Sequence, residues 1–212
     1  MNKKLDDIFR RMFAAFGPQH WWPGESPFEV MVGAVLTQNT NWGNVERAIG
    51  RLKQEGILSP QAIYEIPLSL LSSYIQSAGY YNIKAGRLKN LISFFVEEYE
   101  ADTEKMFAED TEALRQKLLV IKGIGPETAD SILLYAGHKP TFVVDAYTQR
   151  VISRHLLIAE DADYEEIRAL FMDRLPCDAA LFNEFHALFV KLGKTYCKKK
   201  TPLCQDCPLN GL

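Results

Sequence analysis

Leu118-Leu119-Val120-Ile121-Lys122-Gly123-Ile124-Gly125-Pro126-Glu127-Thr128-Ala129-Asp130 is the stretch on which the reading of this chain turns. An apolar helix ends, a Gly-x-Gly turn follows and a second helix begins. Glycine permits positive φ and a tight reversal, and it lets the backbone come close to a ligand. The N–H groups left open at the start of the second helix make an anion site that can take a phosphate without an excess of basic side chains. A lone Gly-x-Gly is weak evidence, and by itself the turn reads as an ordinary helix–helix connection. The surrounding sequence decides the matter.

Outward from the turn the chain reads as helix after helix. Residues 27–38 follow Ser26, a good N-cap with Glu29 three positions on, and are apolar nearly all round, so this helix is expected to be buried. Further helices are expected near 43–54, 59–64, 67–77, 81–99, 111–121, 127–137, 146–155, 163–174 and 178–193. Pro60 and Pro67 suit first turns, and Gly56, Gly79 and Gly193 suit helix ends. The best strand signal, Thr141-Phe142-Val143-Val144, is short and serves as an extended entry to the helix that Asp145 begins. The fold class is therefore all-α.

Composition narrows the function. The 212 residues suit one domain or two small ones, with 47% hydrophobic and 24% charged residues. No apolar run approaches the roughly 18 residues that a membrane span needs. The N-terminus turns acidic at Asp6-Asp7 where a secretory leader would be apolar, so a cytoplasmic, nucleoid-associated protein is expected. A formal net charge of −3 argues against a protein that coats nucleic acid, but not against one with a local basic face. Positive charge gathers late, at Lys191, Lys194 and Lys198-Lys199-Lys200. Acidic residues are densest over 97–116. A lysine run alone reads as a solvated face.

Four motifs in order carry a resemblance. Val35-Leu36-Thr37-Gln38-Asn39-Thr40, Gly79-Tyr80-Tyr81-Asn82-Ile83-Lys84-Ala85, the hairpin at 118–130, and Val143-Val144-Asp145 leading to Arg150-Val151 resemble the helix–hairpin–helix DNA glycosylases, the superfamily of endonuclease III. Within it, Trp21-Trp22-Pro23, Leu36–Thr40 and the hairpin with Glu127 and Ala129-Asp130 look most like the 3-methyladenine glycosylases of endonuclease III type. The resemblance implies two helical lobes with a DNA-binding cleft between them. One is residues 28–139 with the hairpin; the other is 1–27 plus 140–212 with a catalytic aspartate and a cysteine cluster. The implied partner is double-stranded DNA with a damaged base, bound by a monomer with no membrane involved.

The resemblance also distributes roles. Lys122, Gly123, Ile124 and Gly125 would meet a phosphate, and Gln38 and Tyr80 would fill the hole left by a flipped base. Asp145 would stabilise the oxocarbenium-like sugar or deprotonate water. Its plainer reading is a helix N-cap worth about 1 kcal/mol, and the two are compatible. Trp22 and Trp42, and less so Trp21, would wall the base pocket, where an N-alkylated purine gains a cation–π attraction of about 0.5–2 kcal/mol per ring; core or surface anchoring is the alternative. Bifunctional relatives place an imine-forming lysine where this chain has Glu127, and a carboxylate cannot form that imine. A monofunctional glycosylase follows, with Glu127 either near the sugar or simply favouring a helix start. A mismatch glycosylase for uracil or thymine, a bifunctional lyase and a non-catalytic DNA-binding module are the alternatives.

The C-terminal cysteines form the last motif. Cys197, Cys204 and Cys207 match three quarters of the endonuclease III pattern Cys-x6-Cys-x2-Cys-x5-Cys, whose fourth cysteine would be residue 213. The resemblance implies a structural 4Fe–4S cluster in this loop, with zinc as the alternative; both want four ligands. Cys177 is expected to be a buried, small apolar residue.

Overall fold

A computed structural model describes residues 3–21 and 24–212. In chain order the helices are α1 (Lys3–Phe16), α2 (Pro27–Leu36), α3 (Trp42–Gln54), α4 (Pro60–Glu65), α5 (Leu68–Tyr74), a 3-10 turn (Gln76–Ala78), α6 (Tyr81–Tyr99), α7 (Thr103–Ala108), α8 (Thr111–Val120), α9 (Pro126–Ser131), a π-helical turn (Ile132–Ala136), α10 (Ala146–Arg154), α11 (Tyr164–Met172) and α12 (Ala179–Thr195). There is no strand among the described residues. No helix among them is long and apolar enough to cross a membrane.

The chain divides into two compact units. One is Trp22–Lys139; the other joins Met1–Trp21 to Pro140–Leu212. Their charges differ. The first carries eleven Lys and Arg against fifteen Asp and Glu, the second thirteen against twelve.

In the Trp22–Lys139 unit, α2 is the core. Ser26 caps it, Pro27 opens it, and every residue from Phe28 to Leu36 is buried. Helices α3, α6 and α9 and the π-helical turn pack around it. Apart from Glu29, which pairs with Lys53, the residues of α2 are apolar on every side, as such enclosure requires. The turn Ile132-Leu133-Leu134-Tyr135-Ala136 is buried throughout. The helix after the hairpin, expected to run regularly to 137, thus widens for one turn. Inside that unit Arg115 on α8 grips Asp130 on α9 with two bonds of 2.9 and 3.1 Å, both side chains almost wholly buried. The pair ties together the helices on either side of the hairpin, and losing one partner of such a buried pair costs about 3–5 kcal/mol.

In the other unit a phenylalanine cluster forms the core. Phe142 stacks on Phe171 at 3.8 Å, and Phe185 stacks on Phe189 at 4.9 Å. Thr141–Val144 has no regular secondary structure and pairs with no strand. Phe142 is fully buried, and the segment is pinned by side chains instead: Arg168 Nε donates to Thr141 Oγ1 at 3.0 Å, and the Val144 N–H donates to the Tyr164 hydroxyl at 3.3 Å. Helix α1, not anticipated from the sequence, lays its Leu5, Ile8 and Met12 stripe inward and packs on α12.

Gly193 corrects a second expectation. It does not end a helix; it lies inside α12, where an added Cβ would fall 2.4 Å from Tyr147 Cδ1. Glycine is needed there because α10 and α12 approach so closely. Pro67 stands just before α5 rather than in its first turn. Cys177, expected to be buried, is exposed.

Candidate active site and hairpin

The hairpin is built from both flanks. Gly123 has φ +97°, a left-handed value that favours glycine, and a Cβ there would meet Arg87 Cγ at 2.3 Å. Gly125 differs. Its backbone is extended at φ −95°, and nothing lies within 4 Å of where its Cβ would be. It precedes Pro126 as the N-cap of α9 and supplies no side-chain cap, so the first-turn N–H groups have no side chain of their own N-cap in front of them. Lys122 is exposed, and its carbonyl accepts from Asn90 Nδ2 at 2.8 Å. Ile124 is only 4% exposed, so its side chain plugs the core and only its backbone can serve as a contact.

Gln38 is a clasp on this turn. Its Nε2 donates to Gly123 O at 3.2 Å and to Thr128 Oγ1 at 2.9 Å, and its Oε1 accepts from Arg87 Nη1 at 2.5 Å. Both ends of the amide are engaged with the hairpin and α6. Tyr80 stands apart: it is 69% exposed, with φ +45° ahead of α6. The buried Lys84 anchors both segments. Its Nζ donates to Leu36 O at 2.9 Å and Ala78 O at 2.7 Å, tying the end of α2 to the Tyr80 turn. Burial, then the nearby Arg87, pushes the Lys84 ammonium below the usual lysine range.

Glu127 is exposed in the first turn of α9, and its carbonyl accepts from Ser131 Oγ at 2.7 Å. Trp42, in the same unit, opens α3 and borders a cavity of about 410 Å³. That cavity is also lined by Glu25, Glu29, Glu46 and Lys53; Lys53 reaches Glu25 and Glu29 at 2.9 Å each. Trp22 lies outside the described residues.

In the Pro140–Leu212 unit Asp145 is the N-cap of α10. Its Oδ1 accepts from the N–H groups of Tyr147 at 3.0 Å and Thr148 at 2.7 Å. Its Oδ2 lies 3.6 Å from His186 Nε2 on α12, and the two side chains are 13% and 6% exposed. Burial works against the charge, but His186 and the Thr148 N–H outweigh it and hold the carboxyl below the usual carboxylate range. Trp21 packs edge-on to His186, centroids 6.4 Å apart, with Lys194 Nζ 5.8 Å from its ring centre. This histidine and lysine lie, like Trp21, in the Asp145 unit.

His186 is the residue that sequence reasoning missed. It is a lone imidazole in the apolar run Phe185-His186-Ala187-Leu188-Phe189, and that break in pattern was its signal.

The C-terminal loop holds its shape through arginines. Arg150 Nε donates to Cys197 O at 2.8 Å; Arg154 donates to Lys198 O at 2.8 Å, Lys199 O at 3.0 Å and Cys197 Sγ at 3.3 Å. Cys197 is buried, Cys207 half-buried and Cys204 exposed. Burial pushes the Cys207 thiol up, and repulsion from Cys197 and Cys204 adds to it. The thiols are near one another, yet among the described residues no three His, Cys, Asp or Glu side chains converge as a metal-ligand group. A cubane or a tetrahedral zinc takes four donors, of which Cys197, Cys204 and Cys207 would supply three.

The family model for "HhH-GPD superfamily base excision DNA repair protein" matches residues 32–177, a span that holds both the glycine hairpin and Asp145. The chain belongs to the HhH-GPD superfamily. A protein of Methanocaldococcus jannaschii named as a candidate DNA repair glycosylase is 49% identical over 204 residues, 95% of this chain and 92% of its own. The H. pylori 3-methyladenine DNA glycosylase, solved with 1,N6-ethenoadenine bound, is 31% identical with a TM-score of 0.76, covering 90% of this chain and 97% of that one. A trapped endonuclease III–DNA covalent intermediate shares the fold at a TM-score of 0.84 and 24% identity, over 99% of this chain and 93% of that one. This HhH-GPD protein is a DNA glycosylase of base excision repair.

Proposed function

We propose that this glycosylase is monofunctional: it flips an alkylated purine such as 3-methyladenine out of double-stranded DNA and hydrolyses its N-glycosidic bond. The observation that carries the reading is Glu127. The position from which bifunctional relatives present an amine holds a carboxylate, exposed in the first turn of α9. Without that amine no imine forms, and water is the nucleophile. As the base leaves with the bond's electron pair, positive charge grows on the sugar, and the Asp145 carboxylate stabilises it. Oδ1 is held by two N–H groups of α10 and Oδ2 faces His186 at 3.6 Å, so the carboxylate is oriented before the substrate arrives.

The substrate class follows from charge. An N-alkylated purine is cationic and already a good leaving group, so little acid catalysis at the base is needed. Trp42 borders a groove whose three carboxylates outnumber its one lysine, which favours a cationic base over a neutral one. The similarity to the H. pylori 3-methyladenine glycosylase supports the same class. Gln38 and Tyr80 would enter the duplex, with Gln38 first giving up its hairpin bonds. No step in this proposal runs through an iron–sulfur cluster. The protein is proposed to act as a cytoplasmic monomer.

The test is a base-release assay on methylated, uracil-containing and abasic DNA. Free 3-methyladenine is expected, with strands intact until alkali is added and no covalent adduct under borohydride. Uracil release with alkylated purines untouched would overturn the substrate class. A borohydride-trapped complex, lost on changing Lys122, would overturn the monofunctional assignment.

A further inference from the structure

Asp145 does not stand alone on its helix. Two features of α12 are directed at it. Gly193 lets α12 close on Tyr147, two residues along from the aspartate, and His186 lies seven positions earlier, on the same face of α12. The close approach brings the imidazole to 3.6 Å from Oδ2, the oxygen that the α10 N–H groups leave uncovered. The Trp21 edge bounds the imidazole on another side.

We propose that His186 is the positioning residue of Asp145: from α12 it braces the second carboxylate oxygen, so that the charge at the start of α10 stays in place and aimed when the sugar cation forms. This rests on the reading of Asp145 as the catalytic carboxylate. A histidine deep in an aromatic core is a costly way to fill space. Its partner here is the one carboxylate that the reaction uses. Of the other charged groups on α10 and α12, Lys191 is exposed and Arg154 bonds the carbonyls of Lys198 and Lys199. Arg150 bonds the carbonyls of Ala146 and Cys197, Tyr147 packs on Gly193, and the Tyr164 hydroxyl takes the Val144 N–H. Glu184 accepts from the Gln19 N–H, and Lys194 lies over Trp21.

His186, facing the carboxylate, favours its ionised form. Asp145 ionisation is lost as pH falls through its depressed value. Removing His186 should therefore shift that loss to higher pH, by about one to two pH units. The experiment compares the wild-type protein with His186→Gln and His186→Leu. It measures single-turnover base release against pH, DNA affinity, and the 13C carboxyl titration of Asp145 without DNA. Gln keeps an N–H in reach and is expected to release base at nearly the wild-type rate at neutral pH. Leu is expected to lose about tenfold, the size typical of removing an orienting partner rather than the reacting group. In both, the carboxyl titration and the acid limb of base release move up together, with DNA affinity unchanged. A residue that merely packs would lower activity with the folded fraction and leave both midpoints alone. An unmoved carboxyl titration in the folded Gln variant overturns the proposal. A carboxyl titration that moves while the acid limb stays put overturns the catalytic role of Asp145 instead, and with it the reading on which the proposal rests.

Discussion

Replacing Asp145 with Asn keeps an N-cap and removes a charge. Asn caps about as well as Asp, so the fold is expected to survive within about 1 kcal/mol. Base release is expected to fall by at least about a hundredfold, because the oxocarbenium ion loses its counter-charge. The depressed Asp145 ionisation gives the sign of the stability change: the ionised carboxylate contributes stability above the unfolded aspartate value, about 3.9, and loses it as pH falls through the lower folded value. The Asn variant is thus slightly less stable than wild type at neutral pH, and the difference closes in acid. Thermal melts across pH with base-release assays check this; near-normal turnover would reduce Asp145 to a cap. The cap itself was legible in the sequence, because Asp followed by a helix has one local geometry. His186 was not, since its partner is 41 positions away and only packing joins them. Gln38 was legible as a residue at the end of a buried helix, but not as a clasp on the hairpin, because Gly123 and Thr128 are 85 and 90 positions distant.

At the scale of elements, the contact between α10 and α12 is sensitive to a single methyl group. Gly193→Ala puts a methyl group 2.4 Å from the Tyr147 ring, and overpacking of this kind costs about 1–3 kcal/mol. Gly50→Ala inside α3 is the control: nothing lies within 4 Å of its Cβ position, so Ala should be neutral or stabilise by up to about 1 kcal/mol. Denaturant unfolding of the two variants separates the packing effect from helix propensity, and equal midpoints would refute the close approach. Helix α2 was readable because all-round apolarity and a Ser-Pro start agree. Helix α1 escaped because its two-lysine, two-aspartate opening masks the Leu5, Ile8 and Met12 stripe. The short α7 lies in the acidic run, where charge hid a single buried Met106. Thr141–Val144 has the β-branched and aromatic content of a strand, yet finds no partner strand and is held by Arg168 and Tyr164. A short apolar run rich in β-branched and aromatic residues does not by itself specify a sheet.

Across the whole molecule, the all-helical class and the family follow from ordered local motifs, whereas the metal question depends on whether three thiols converge, which spacing alone does not determine. The unequal charge of the two units has a kinetic consequence. The Trp22–Lys139 unit, which carries the hairpin, has more acidic than basic residues, so its field does not pull a polyanion toward it. Contact by backbone N–H groups at the turn displaces few condensed counterions. Encounter with DNA should therefore proceed by near-unsteered collision, with an association rate constant near the ordinary 10⁵–10⁷ M⁻¹s⁻¹ range of docking without strong steering. Raising salt from about 50 to 200 mM should weaken binding by less than about tenfold, against roughly 10³–10⁵ for a protein that neutralises 6–10 phosphates. Stopped-flow binding to a fluorescent duplex measures both quantities, and a steep salt dependence would show that the late lysines dominate the encounter. An enzyme of this kind samples many sites briefly and is held only where a base yields, so its search is governed by how fast it lets go.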